Sequence, residues 1–169
     1  MLQSIDIKKA LSLLTKPEHP VLLISGQKKE KINIMPAGGV TRTSHKPPLM
    51  AVSVGFTRFT HKLMTKYEYF ILSYPVKKHI KMIKYTGNCS GKHVDRFSSI
   101  NINTVPAQKV DLPVLKEDKV NFECQKKAQV KTGDHTLFVG RVVAATGNQS
   151  ANAVINVGNY TYKEFYNNE

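Results

Sequence analysis

Tryptophan is absent from this 169-residue chain, cysteine occurs twice, and 12 acidic residues face 25 lysines and arginines. Two thiols, Cys89 and Cys124, are too few for a disulfide framework, and neither sits in a CxxC pair of the kind that binds zinc or cycles between thiol and disulfide. Cys89 and His93 are four residues apart, but no second ligand pair accompanies them, so the spacing does not describe a metal site. No window approaches the roughly 18 consecutive apolar residues of a membrane span. The opening MLQSIDIKKALSLL lacks the basic, apolar and small-residue sections of a secretion signal. A soluble, cytoplasmic protein is expected. The chain has no GxSxG, HExxH, GxxxxGK[ST] or helix-opening GxGxxG, which argues against a hydrolase, a zincin, a P-loop enzyme and a classical dinucleotide fold.

The chain does have length enough for one core, so a single domain over 1–169 is expected. Its formal net charge of +13 is unevenly placed: residues 1–110 carry 18 basic and 5 acidic side chains, and the remainder 7 of each. Such a basic region suits a phosphorylated cofactor, an acidic protein partner or a nucleic acid, although solvated lysines account for much of it. The aromatics nearest the basic clusters are Phe56, Phe59, Tyr67, Tyr74 and Tyr85. Several fall at core-like positions, which leaves few to stack on bases and makes a nucleic-acid barrel the remote alternative.

The pattern of the chain is mostly extended. Asp6 can cap a first helix bearing Ile7, Ala10, Leu11 and Leu14, which Pro17 ends. Val21 to Ser25 and Ile32 to Met35 read as paired strands. Pro36 to Ser44 reads as a small-residue loop, and Pro47-Pro48 fixes an extended entry into the strand Leu49 to Phe56. Thr60 can cap a helix through Lys66, followed by the strand Tyr69 to Ser73. Val76, Ile80 and Ile83 mark a basic helix to Tyr85, with Gly87 as its stop. Residues 86–118 read as irregular. Alternation returns at Val120, Phe122 and Cys124 and at Ala128 and Val130, and Gly133-Asp134 is a hairpin turn into Thr136 to Ala145. The expected fold is mainly β: an antiparallel barrel with peripheral α-helices, which fits this order of elements better than a doubly wound sheet.

Three segments are chemically suggestive. Gly38-Gly39, followed by Thr41, Thr43 and Ser44, lets a flat ligand approach the backbone and offers hydroxyls. Arg58, Thr60 and His61 stand at a helix start, where free amides and the dipole favour phosphate, although a plain cap explains Thr60 equally. Gly87 to Phe97 is a second loop with glycine, hydroxyl, basic and aromatic groups. His135 lies at the rim of the sheet, where an ordinary surface histidine is also at home.

In order, four segments resemble the flavin reductase-like family of FMN-binding split barrels, which includes flavoredoxins and archaeal ferric reductases. They are His19-Pro20-Val21 with Asn33; Ser44 to Pro48 leading into Met50 to Val54; Gly87 to Phe97; and Gly133-Asp134-His135-Thr136-Leu137-Phe138-Val139-Gly140. The last is the most specific, and the resemblance spans roughly residues 5–165. Many members carry a tryptophan in the loop after Asn33, where this chain has Gly38-Gly39.

The resemblance implies that the antiparallel barrel is a Greek-key split β-barrel, with FMN as cofactor, FAD an alternative, and NAD(P)H as co-substrate. It places Pro36, Ala37, Gly38, Gly39, Val40 and Thr41 at the isoalloxazine edge, and Ser44, Arg58, Thr60 and His61 around the phosphate. Ser90, Gly91, Lys92 and Phe97 would flank the flavin, and His135 would face the ring as the catalytic residue. It also implies a homodimer. The flavin supplies the redox chemistry, which explains the absence of an acid–base pair. The family includes reductases and nicotinamide-independent electron carriers that serve a redox protein partner, and both remain open at this point.

Overall fold

The computed structural model describes residues 4–14 and 17–166. Helix α1 (Ile7–Leu14) leads to strands β1 (Val21–Gln27), β2 (Lys31–Ala37), β3 (Val40–Ser44) and β4 (Leu49–Gly55). After helix α2 (Phe59–Lys66) and strand β5 (Tyr69–Tyr74), a 3₁₀ turn at Lys77–His79 runs directly into α3 (Ile80–Asn88). The short strands β6 (Thr104–Pro106) and β7 (Pro113–Leu115) precede the long hairpin of β8 (Val120–Thr132) and β9 (His135–Thr146), and β10 (Ala153–Gly158) and β11 (Thr161–Phe165) end the chain.

Seven strands form one antiparallel sheet in the order β2-β1-β5-β8-β9-β4-β3. It curls until β2 approaches β4, the split-barrel architecture expected. The apolar run of β1 is unbroken because both faces of that strand are covered. Leu23 points into the interior with Val52, Phe70, Leu72 and Phe138. Leu22 and Ile24 point outward, under Ile83 of α3, Leu115 of β7 and Val154 of β10. The helices and small hairpins are thus the outer layer of a two-sided core.

Several local expectations are met. Asp6 caps α1, its Oδ1 accepting from the Lys9 amide at 3.1 Å, although Ile7 and Leu11 stay exposed. Gly133, at φ +46°, and Asp134 form the two-residue turn that pairs Thr132 with His135.

Others are corrected. The stretch Pro36 to Ser44 is mostly the tail of β2 and the edge strand β3, turning at Gly38-Gly39. Pro47-Pro48 lies in the turn before β4. Arg58, not Thr60, is the N-cap of α2, and it makes no side-chain cap hydrogen bond. Gly87 lies inside α3, and Met82 and Thr86 join Ile83 on the buried face while Val76 precedes the helix. Residues 86–118, expected to be irregular, contain the β6–β7 hairpin. No helix among the described residues is long and apolar enough to cross a membrane.

Candidate functional site

A cleft of about 710 Å³ opens between the end of β2, α3 and the β10–β11 hairpin, and its wall includes Pro36, Ala37 and Gly38. A second hollow of about 300 Å³ lies between the start of α2 and the Cys89-Ser90-Gly91 turn. Met35, Arg58, Gly87, Asn88 and Arg96 line both, so the two form one continuous groove. At one end it presents the backbone of residues 36–38. At the other it presents Arg58, Thr60 and Ser90 at the uncapped N-terminus of α2.

Buried polar groups fix that second end. The Asn33 amide donates from Nδ2 to Thr60 Oγ1 at 2.7 Å, holding α2 against β2. Gly91 packs onto the same amide: a Cβ there would stand 1.9 Å from Asn33 Oδ1, so the turn approaches only because glycine has none. Arg96, 7% exposed, donates from one terminal nitrogen to the Ile34 carbonyl at 2.6 Å and to Asn33 Oδ1 at 3.4 Å, and from the other to the Cys89 carbonyl. Its Nε has no partner, and no carboxylate pairs with it among the described residues. A buried cation compensated only by carbonyls is costly, and a ligand anion would relieve it.

The other expected residues are distributed differently. Gly39 turns into β3, and its carbonyl accepts from the Ser53 amide at 2.8 Å. Val40, Thr41 and Ser44 lie on edge strand β3, outside the wall of the groove. His61 points to β9, its Nε2 2.8 Å from Thr136 Oγ1 and its ring edge-on to Phe56 and Phe138. Lys92 is exposed in the turn. The Phe97 ring joins the outer core and borders a separate hollow near β6 and β7. His135 is half-exposed beside Gly55, its Nδ1 2.6 Å from Asp134 Oδ1, and does not line the groove.

Sequence reasoning passed over Glu18, Lys84, Arg96, Asn156, Tyr160 and Tyr162, all of which line the larger cleft. Arg96 was within the stretch singled out, one residue from the aromatic chosen instead. The Val154/Asn156 alternation before Gly158-Asn159 signals the β10–β11 hairpin. Among the described residues no group of three or more His, Cys, Asp or Glu side chains could hold a metal.

Comparison with known proteins agrees with this architecture. The chain is 35% identical over 130 residues to an uncharacterized protein of Archaeoglobus fulgidus, covering 77% of this chain and 72% of the relative. It is 27% identical over 113 residues to an NADH-dependent FAD reductase of Streptomyces globisporus, covering 66% and 61%. Among solved structures, an FMN-binding protein from Thermus thermophilus, with bound 1-cyclohex-2-enone, superposes with a TM-score of 0.83 at 26% identity over 96% of each chain. Flavoredoxin of Desulfovibrio vulgaris shares the fold, with a TM-score of 0.82 at 23% identity over 98% and 94%. The model of the flavin reductase like domain matches residues 16–165, and the chain belongs to that family.

Proposed function

We propose that the groove binds FMN with its phosphate at the Arg58, Thr60, Ser90 and Arg96 end, and that the protein is an oxidoreductase drawing electrons from NAD(P)H. The buried, carboxylate-free Arg96 carries the reading. It stands where the two hollows meet, next to an uncapped helix N-terminus, and this combination calls for an anion. The ring edge would lie against the backbone of Pro36 to Gly38, beside the Glu18 carboxylate that packs on Gly38. The donor set therefore fits a flat, phosphorylated ligand. When bound, FMN supplies the electron-accepting ring. The protein's own residues bind the phosphate, orient the ring and leave a face open to a second ligand.

His135 is assigned to the nicotinamide side as part of this reading, in an assembly of two copies. Its separation from the groove within one chain means that the second copy would have to bring it, or residues near it, to the flavin. A carrier role, in which an acidic redox protein replaces the nicotinamide, is favoured by the excess of 13 basic residues in positions 1–110.

The test is direct. Purified protein mixed with FMN should retain the yellow flavin through gel filtration, and Arg96→Met should lose FMN at least about tenfold more readily while binding riboflavin almost as before. Equal loss of both flavins would refute the phosphate assignment. Anaerobic NADH or NADPH should bleach the bound flavin; failure to bleach, with bleaching by a reduced redox protein, selects the carrier.

A further inference from the structure

The wall of the larger cleft carries three cationic side chains, Arg58, Lys84 and Arg96, and among the described residues one carboxylate, that of Glu18. The fold holds this carboxylate at the ring end of the groove. The Glu18 backbone bridges Asn156 of β10 through bonds of 3.1 and 2.8 Å. The buried Asn156 side chain donates from Nδ2 to Glu18 Oε1 at 3.4 Å, and its Oδ1 accepts from the Gly158 amide at 3.0 Å. Glu18 is thereby laid against the turn that follows β2. A Cβ on Gly38 would stand 2.7 Å from Oε2 and 2.9 Å from Oε1, so any side chain at 38 would push the carboxylate away.

The backbone of the same turn is occupied with itself. The Gly38 carbonyl accepts from the Val40 amide at 3.0 Å, and the Gly39 carbonyl from the Ser53 amide at 2.8 Å. With these carbonyls engaged, the Glu18 carboxylate is the strongest acceptor at this edge of the cleft. An isoalloxazine ring has one N–H on its pyrimidine edge, at N3, between two carbonyls. We infer that Glu18 accepts a hydrogen bond from flavin N3–H and that its charge holds the reduction potential of the flavin down. The inference rests on the flavin occupying the groove with its ring at this end. A hydride from NAD(P)H carries two electrons and one proton; NAD(P)+ is left, and the flavin ring gains one negative charge, shared between N1 and the C2 carbonyl next to N3. A fixed carboxylate at that edge opposes the gained charge, whereas Arg58 and Arg96 lie at the phosphate end. Such a flavin gives its electrons up readily to whatever accepts them.

Both halves of the inference are measured on the full-length protein loaded with FMN. Glu18→Gln keeps the size and an acceptor oxygen but removes the charge, and spectroelectrochemical titration should place its two-electron midpoint about 30 mV or more above the parent's, a tenfold shift in the ratio of oxidised to reduced flavin. An unchanged or lower midpoint overturns the inference, and a glutamate that only supports the fold would give that result. The contact is read in the parent itself, whatever the variant does to folding. N3-methyl-FMN, which has no N3–H, should bind about tenfold or more weakly than FMN. Glu18→Ala should narrow that gap, which a clash of the methyl group with the backbone would leave intact. Equal affinity of the parent for the two flavins, or a gap that Glu18→Ala leaves as it was, overturns the inference while the flavin reading stands. A parent that retains no FMN through gel filtration refutes the flavin reading, and the inference with it.

Discussion

His61 illustrates how one residue's surroundings set its chemistry. Chosen from the sequence as a phosphate neighbour, it instead bridges α2 to β9 through Thr136 and packs edge-on to Phe138. Burial there holds its imidazole below the ordinary value, and the Lys131 cation pushes it the same way. In the unfolded chain the ring takes up a proton near about pH 6.5; in the fold it does so only at lower pH. Between the two the unfolded chain binds more protons, so this contribution to stability is complete above about pH 6.5 and is lost as pH falls through that window. His61→Gln should therefore flatten the decline in urea stability between about pH 7 and 5. An NMR titration of the His61 ring with a midpoint at or above the free imidazole value would contradict this account. Cys124 is the companion case: burial, with Glu123 adjacent, pushes its thiol up to about 12, which makes it an inert core group.

The connections between elements depend on a few buried polar clusters. The end of β5, the 3₁₀ turn and the segment before β8 meet at Asp118, which is fully buried. Its carboxyl oxygens accept from Ser73 Oγ at 2.5 Å and pair with His79 Nδ1. This junction sets where α3 begins, and α3 in turn forms a wall of the cleft. His79→Ala should remove a donor from a buried carboxyl group and cost about 1–3 kcal/mol, read from the urea midpoint. A change within error would show that Ser73 and the Val76 amide satisfy Asp118 without the histidine. The C-terminal hairpin is joined to the rest of the chain by the backbone bridge Glu18–Asn156, with bonds of 3.1 and 2.8 Å, by Val154 and Tyr162 in the outer core, by the Lys77–Glu164 ion pair at 3.0 Å and by His19 against the Phe165 ring.

Over the whole molecule the basic excess falls in the same two-thirds of the chain that supplies Arg58, Lys84 and Arg96 to the cleft. A net charge of +13 creates a field that attracts anionic ligands, and salt shortens its reach from about 10 Å at 0.1 M to about 3 Å at 1 M. FMN affinity should consequently fall several-fold across that range. Riboflavin, which lacks the phosphate, should change less than about twofold, as measured by fluorescence quenching. Parallel salt dependence of the two flavins would dissociate the field from phosphate recognition.

The amino-acid pattern by itself determined the strand-dominated architecture, the Gly133-Asp134 turn, the cap of α1 and the ordered segments that resemble the flavin reductases. These are local: alternation, turn chemistry and spacing are written in neighbouring residues. The composition of the groove was legible in part, through Pro36 to Gly38, Arg58, Thr60, Ser90 and Gly91. Arg96 was not, because a buried arginine and an exposed one look alike until the Ile34 and Cys89 carbonyls are known to surround it. Nor was the place of Tyr160, which a left-handed turn near the far end of the chain brings to the cleft. Thr60 shows the difference plainly. Its hydroxyl suits a helix cap in sequence, but Asn33, 27 residues earlier, takes it as a partner once β2 and α2 pack together. Long-range packing assigns partners to polar groups, and only the assembled chain fixes which of them remain free to meet a ligand.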